Sequence, residues 1–228
     1  MSTSTSTSTG PTSSAGAVAP ARTSSGASLP GTLSRHLAAL RALIVLTVIT
    51  GLAYPLLITL IGQIALPGRA DGQLIQQHGA TVGSTLIGQS FTDAKGNALP
   101  QWFQTRPTAY PDSPYDGAAS GASNLGPNSP DLLTTVQARR ARVAAENGVA
   151  PAAVPADALT ASGSGLEPYI SPAYAELQVA RVARARNLDV ARVRTLVADH
   201  TQGRQLGFLG EPRVDVVDLN AALAALGR

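Results

Sequence analysis

From Ala42 to Leu66 the chain runs 25 residues without a charge. An α-helix rises about 1.5 Å per residue, so the run covers roughly 37 Å and can cross a hydrocarbon core of about 30 Å with some tilt. It is apolar on every face. It also exceeds the apolar core of about 7–15 residues of a cleavable secretory signal and has no clear small-x-small site through Gly62–Leu66. The reading is a retained single-span anchor over residues 38–66. Tyr54-Pro55 lies mid-run, where proline removes a backbone donor, so a kink is expected there. Arg22, Arg35 and Arg41 precede the run with no acidic residue, and Arg69 and Asp71 follow it. That asymmetry predicts a cytoplasmic N-terminus and an extracytoplasmic domain from residue 67 to 228.

Beyond the anchor the periodicity changes. Gln73–Gln76 and Thr81–Ile87 read as short strands joined by a turn at His78-Gly79, and Gln101–Gln104 reads as a third. Arg106 to Pro130 is rich in Pro, Ser, Gly, Asn and Tyr, an irregular segment of the kind that is either functional or disordered. Ser129-Pro130 then starts a helix, with Leu132, Leu133, Val136 and Val143 at helical spacing, and Asn147-Gly148 stops it. Ser171-Pro172 starts another that runs to about Arg186, and Asp189 caps the next. Arg213–Val216 is strand-like, and Leu219, Leu223 and Leu226 mark a closing amphipathic helix. The sum is an α+β domain with a small β-sheet and several helices behind a single N-terminal transmembrane helix. Residues 1–37 hold a period-two Ser/Thr run with no apolar face and read as a disordered cytoplasmic tail.

Charge narrows the function. The formal net charge is +3, and the three arginines ahead of the anchor account for it; the remaining 14 basic residues balance the 14 acidic ones. A neutral exported domain gives no electrostatic case for nucleic acid. Lysine occurs only at Lys95, and cysteine is absent, which excludes disulfides and thiolate chemistry.

Candidate chemistry is sparse. Ser162-Gly163-Ser164-Gly165 resembles a nucleophile elbow, but the elbow needs glycine where Ser162 stands. Its backbone is also a weak candidate for cradling a nucleotide phosphate, without the P-loop spacing or its lysine. The three histidines are isolated in sequence, so no metal site is expected. Arg139, Arg140 and Arg142, and Arg181, Arg184 and Arg186, read mainly as solvated helix faces and secondarily as docking patches. Trp102, Phe103, Tyr110 and Tyr115 cluster around the irregular segment, a composition that favours a partner interface over a plain core cluster.

Several segments together are similar to a known family. They are Phe103-Gln104-Thr105-Arg106-Pro107, Pro114-Tyr115-Asp116, and Ala119 to Pro127. Leu159 to Pro168, Ile170-Ser171-Pro172, and Gln178 to Ala183 follow. Gly207-Phe208-Leu209-Gly210-Glu211-Pro212 with Val214-Asp215-Val216 completes the set. In order and spacing the chain resembles the C subunit of the Kdp-type potassium-transporting ATPase over roughly residues 40–226. It departs at Asp116, Glu167 and Asp215, where the family usually has Asn, Asp and Asn, and at Gly121-Ala122, where it usually has Gly-Gly.

The resemblance implies a non-catalytic subunit of a bacterial cell-membrane potassium importer. Its partners would be a P-type ATPase subunit that hydrolyses ATP and a channel-like subunit that selects potassium. The C subunit would stabilise the complex and act as a catalytic chaperone that raises ATP affinity. ATP and potassium would be handled by the complex, with no cofactor held by this chain. With the domain outside, an effect on cytoplasmic ATP would be transmitted through the membrane, or would need the opposite topology. The expected partner surface is Arg106, Pro107, Tyr115, Ser120, Gly121, Ser123 and Asn124, with Tyr54 and Pro55 inside the bilayer. The competing reading is a membrane-anchored serine hydrolase using Ser162 or Ser164, or an anchored binding or sensor module.

Overall fold

The computed structural model describes residues 31–77, 79–110 and 112–226, so most of the expected tail and His78 of the expected turn lie outside them. The chain divides into two compact units, the division falling after Leu57.

A continuous helix spans Gly31–Ala65, and among the described residues it is the one helix long and apolar enough to cross a membrane. It begins ahead of the expected boundary, so residues 31–37 are helical rather than part of the tail. It consists of α1 (Gly31–Thr47), a π-helical turn (Val48–Ala53) and α2 (Tyr54–Ala65). A π turn stands just ahead of Pro55, where the kink is expected. Pro55 has no N–H to give the preceding turn, and the backbone widens so that the Tyr54 N–H donates to the Ile49 carbonyl five residues back. The large apolar side chains along this helix are exposed.

A short turn, α3 (Pro67–Ala70), leads into the hairpin β1 (Leu74–Gln77) and β2 (Ala80–Ser84). The strands pair antiparallel, with a register irregularity between Ile75 and Gln76. Gly79, at φ +79°, supplies the left-handed turn position.

The helices follow the predicted caps. In α4 (Pro130–Asn147) the Ser129 side chain accepts the Leu132 N–H, and Gly148 closes the helix at φ 66°. In α5 (Pro172–Arg186) Ser171 accepts from Tyr174, and Asn187 takes the left-handed closing position. Asp189 accepts two N–H groups at the start of α6 (Val190–Asp199). These caps satisfy donors that the first turn leaves unpaired. Strand β5 (Arg213–Asp215) runs directly into α7 (Val216–Leu226). It lies between β3 (Tyr169–Ile170) and β4 (Thr201–Gln202), antiparallel to both. Neither two-residue strand carries enough alternation to be read from sequence.

The core is centred on α5. Tyr174, Ala175, Val179, Val182 and Ala183 are buried with Val143 and Ala144 of α4, Val193 and Val197 of α6, and Val214, Leu219 and Leu223. Phe103 is fully buried in the same cluster, which makes it a core residue and not an interface aromatic.

The expected strand at Gln101–Gln104 is not a strand. Its backbone pairs with side chains instead. The Asn220 amide accepts the Phe103 N–H at 3.0 Å and donates to the Phe103 carbonyl at 2.9 Å. The Gln178 amide does the same for Gln104, at 2.7 and 3.1 Å. Two helix-borne amides thus do the work of a neighbouring strand, which leaves the buried backbone satisfied.

Candidate functional site

The irregular segment from Arg106 onward is laid over the Ser162–Gly165 turn, where Ser162 and Ser164 hold it and Gly165 makes room for it. Ser162 is buried, and its N–H donates to the Pro107 carbonyl at 2.9 Å. The Ser164 carbonyl accepts from the Gly121 N–H at 2.9 Å and from the Ser120 hydroxyl at 3.1 Å. Gly165 sits at φ +72°, and a Cβ there would lie 3.2 Å from the Gly121 carbonyl oxygen. A Cβ on Gly121 would collide with the Tyr110 ring. The glycines are therefore required by close approach of two backbones and a ring.

The turn's own amides are committed. The Ser162 hydroxyl accepts from Gly165 N–H at 3.1 Å and Ser164 N–H at 3.3 Å, and the Ser164 hydroxyl accepts from Leu166 N–H at 3.1 Å. A phosphate cradle would need these same N–H groups. For nucleophilic attack Ser162 would need a base, and its oxygen instead meets the Ser164 hydroxyl at 3.2 Å. His200 turns its ring nitrogens to the Leu196 carbonyl, at 2.9 Å, and to Asp218, at 3.8 Å.

Arg106 is half-buried and faces inward. It donates to Glu167 at 2.7 Å and to the Thr160 hydroxyl at 3.2 Å, while its Nε is buried without a partner. Its carbonyl accepts the Tyr115 hydroxyl at 2.8 Å, and that hydroxyl also meets Thr105. Burial pushes the Tyr115 phenol up from its ordinary range. Tyr115 adopts φ +60°, and Gly88 makes room for its ring: a Cβ at Gly88 would lie 2.6 Å from it. Ser123 and Asn124 are exposed, Asn124 at φ +52°. Tyr54 and Pro55 are exposed on the membrane-length helix.

Beside the segment lies a cleft of about 260 Å³, lined by Phe91, Thr105, Arg106, Tyr115, Arg139, Arg142, Glu146 and Tyr174 among others. Arg139 donates to the carbonyls of Leu159, at 3.0 Å, and Thr108, at 3.4 Å. Burial, and secondarily the charge of Arg142, lowers its pKa. The solvated-face reading of the arginine runs fails at two positions. Arg139 buttresses the cleft, and Arg181 is 8% exposed, donating to Pro100 O at 2.7 Å, Trp102 O at 3.1 Å, Asn147 at 2.9 Å and Gln178 at 2.7 Å. Arg186 lies over the Trp102 ring at 4.8 Å. Hydrophobic periodicity carries no sign of this, because a charge run looks the same whether its carbons and guanidinium turn out or in.

Sequence reasoning places Gly207–Pro212 among the family segments but assigns no role to the exposed turn at Leu206–Leu209. Its signal is an apolar pair, Phe208-Leu209, bracketed by Gly207 and Gly210 in a polar stretch.

Comparison with known proteins covers most of the described residues. Residues 36–225 match the family described as KdpC: K+-transporting ATPase, c chain. A Kineococcus radiotolerans protein named potassium-transporting ATPase KdpC subunit is 57% identical over 181 residues, covering 79% of this chain and 88% of its own. Proteins of the same name from Sorangium cellulosum and Burkholderia mallei are 55% and 53% identical. They cover 81% and 80% of this chain, and 94% and 91% of their own lengths. With a match over so much of its length and relatives this similar, the chain belongs to the KdpC family of potassium-transporting ATPase subunits.

Proposed function

We propose that this chain is a non-catalytic accessory subunit of an ATP-driven potassium importer in a bacterial cell membrane. Its single helix anchors it with the N-terminus inside, and its α+β domain docks outside on the other subunits. It stabilises their assembly and raises the ATP affinity of the P-type subunit that hydrolyses ATP. The observation that carries this reading is the family match across residues 36–225.

Two further points support it. The Arg22, Arg35 and Arg41 excess ahead of the helix favours a cytoplasmic N-terminus. The Ser162 and Ser164 hydroxyls are engaged in closing the turn on itself, and the Ser162 N–H and Ser164 carbonyl hold the loop, which is scaffold work. An effect on cytoplasmic ATP then travels through the helix and its membrane partners. Coupling of this kind amounts to about 1–3 kcal/mol, or 5–150-fold in affinity.

The test is purification of the tagged full chain from membranes of potassium-starved cells in mild detergent. Recovery of a P-type ATPase and a multispanning potassium subunit is expected. A chain that purifies alone from cells expressing both would overturn the reading. Labelling of Ser162 by a serine-directed probe would move a hydrolase to the front.

A further inference from the structure

We infer that the cleft between Thr105–Thr108 and α4 binds a small monocarboxylate with an apolar body, held by Arg139 and Tyr174. The site belongs to this chain alone, so it stands or falls separately from the assembly reading above.

The cleft is walled by the turn around Phe91, by Thr105–Thr108 with Tyr115, and by the Arg139–Glu146 part of α4. Its volume of about 260 Å³ lies below the roughly 300–1,000 Å³ of pockets that hold drug-sized ligands, so the occupant is small. Phe91, Ala98, Val143, Ala158, Pro107 and Pro114 give it an apolar surface for a hydrocarbon body.

The charges fix the ligand's sign and number. The lining holds three guanidiniums, from Arg106, Arg139 and Arg142, against one carboxylate, from Glu146. Glu167, from outside the lining, pairs with Arg106 at 2.7 Å, and Glu146 pairs with Arg142 at 3.7 Å. Arg139 is left over: among the described residues no carboxylate lies within ion-pair distance of it. The Leu159 and Thr108 carbonyls take two of its N–H groups, and a guanidinium carries more. Burial, then the neighbouring charge of Arg142, works against its charged form, which an anion in the cleft would favour. One uncompensated positive charge matches one negative charge. A doubly charged phosphate would bring its second charge toward Glu146. The start of α5, a natural phosphate seat, is already taken by Asp157, which accepts the Ser171 N–H and hydroxyl.

Tyr174 supplies the second point of attachment. It is 4% exposed yet lines the cleft, and its hydroxyl has no hydrogen-bond partner among the described residues. Buried phenols ordinarily find one. Burial first, then the charge of Glu146, pushes its pKa up, so the hydroxyl keeps its proton and donates. A carboxylate accepts from a guanidinium and a phenol at once, one oxygen to each.

Isothermal calorimetry on the purified full chain in neutral detergent, with benzoate and butyrate as probes, tests the site. Saturable binding of at least one of the two acids is expected. Tyr174→Phe keeps the ring and removes only the unpaired hydroxyl. It is expected to weaken that binding about ten-fold or more, at an unchanged or higher melting temperature. Arg139→Gln is expected to weaken it at least as much; because Arg139 also holds two loop carbonyls, Tyr174→Phe decides the matter if that variant unfolds. No saturable binding of either acid, wild-type affinity in Tyr174→Phe, or inorganic phosphate that binds more tightly than both acids overturns the assignment.

Discussion

Asp215 is buried at the junction of β5 and α7, where its Oδ1 accepts the N–H groups of Val217 and Asp218 at 2.9 and 3.1 Å. Its Oδ2 is buried without a partner. Loss of solvent outweighs the two hydrogen bonds and raises its pKa to about 6 from 3.8. The folded state therefore binds a proton more tightly than the unfolded chain. This group's contribution to stability is fullest below about pH 4, falls as pH rises through the folded value of about 6, and is constant above it. Asp215→Asn keeps the accepting oxygen and removes the charge. The variant is expected to flatten melting temperature between pH 4 and 7 and to gain about 1–2 kcal/mol at neutral pH. An unchanged slope in that window would show that the carboxyl is already solvated. At Leu206 the left-handed strain is about 1–2 kcal/mol, against about 0.5–1 for glycine's greater unfolded freedom. Leu206→Gly is thus expected to leave thermal stability level or raise it by up to about 1 kcal/mol in calorimetry.

The segment around Phe103 behaves as a strand whose neighbours are two helices. Asn220 on α7 and Gln178 on α5 each clamp one residue's N–H and carbonyl. Asn220→Ala strands both Phe103 groups in the core, so it is expected to cost about 2–4 kcal/mol in denaturant unfolding. Asn220→Asp retains an acceptor but loses the donor, and it is expected to destabilise the domain most at neutral pH, where the carboxylate is charged. At α5, Ser171 accepts from Tyr174 at 3.0 Å, while its hydroxyl and N–H both donate to Asp157 at 2.9 and 2.7 Å. Ser171→Ala removes a cap and one partner of a carboxylate, an expected loss of about 1–2 kcal/mol.

At the scale of the whole molecule, the proposed assembly asks the same side chains both to build the domain and to face a partner. Arg106 illustrates the division. Its guanidinium ties the loop to Glu167 and Thr160, so Arg106→Ala is expected to loosen the domain as well as any interface. Comparing its melting temperature with its recovery of partner subunits separates the two effects. A complex depleted of this subunit is expected to hydrolyse ATP with a higher KM for ATP. An unchanged KM would remove the affinity role and leave stabilisation.

Local rules made much of this protein legible. A 25-residue uncharged run, Ser and Asp caps, and left-handed stops at Gly148 and Asn187 depend on neighbours a few residues away, so sequence carries them directly. The α+β class followed from their order, and the family from the spacing of many short segments. Several candidate site residues are engaged by partners far along the chain: Arg106 meets Glu167, 61 positions on, and Ser120 meets Ser164, 44 positions on. Gln101–Gln104 has the composition of a strand, yet its hydrogen bonds go to amides that only folding brings within reach. Arg139 and Arg181 read as solvent-facing until the carbonyls of distant loops close around them, and Tyr115 read as a surface aromatic until Gly88 made room for its ring. Exposure at Leu206–Leu209 is likewise a property of the packed domain: apolar residues in a sequence predict burial, and only the three-dimensional arrangement shows which of them the core leaves outside.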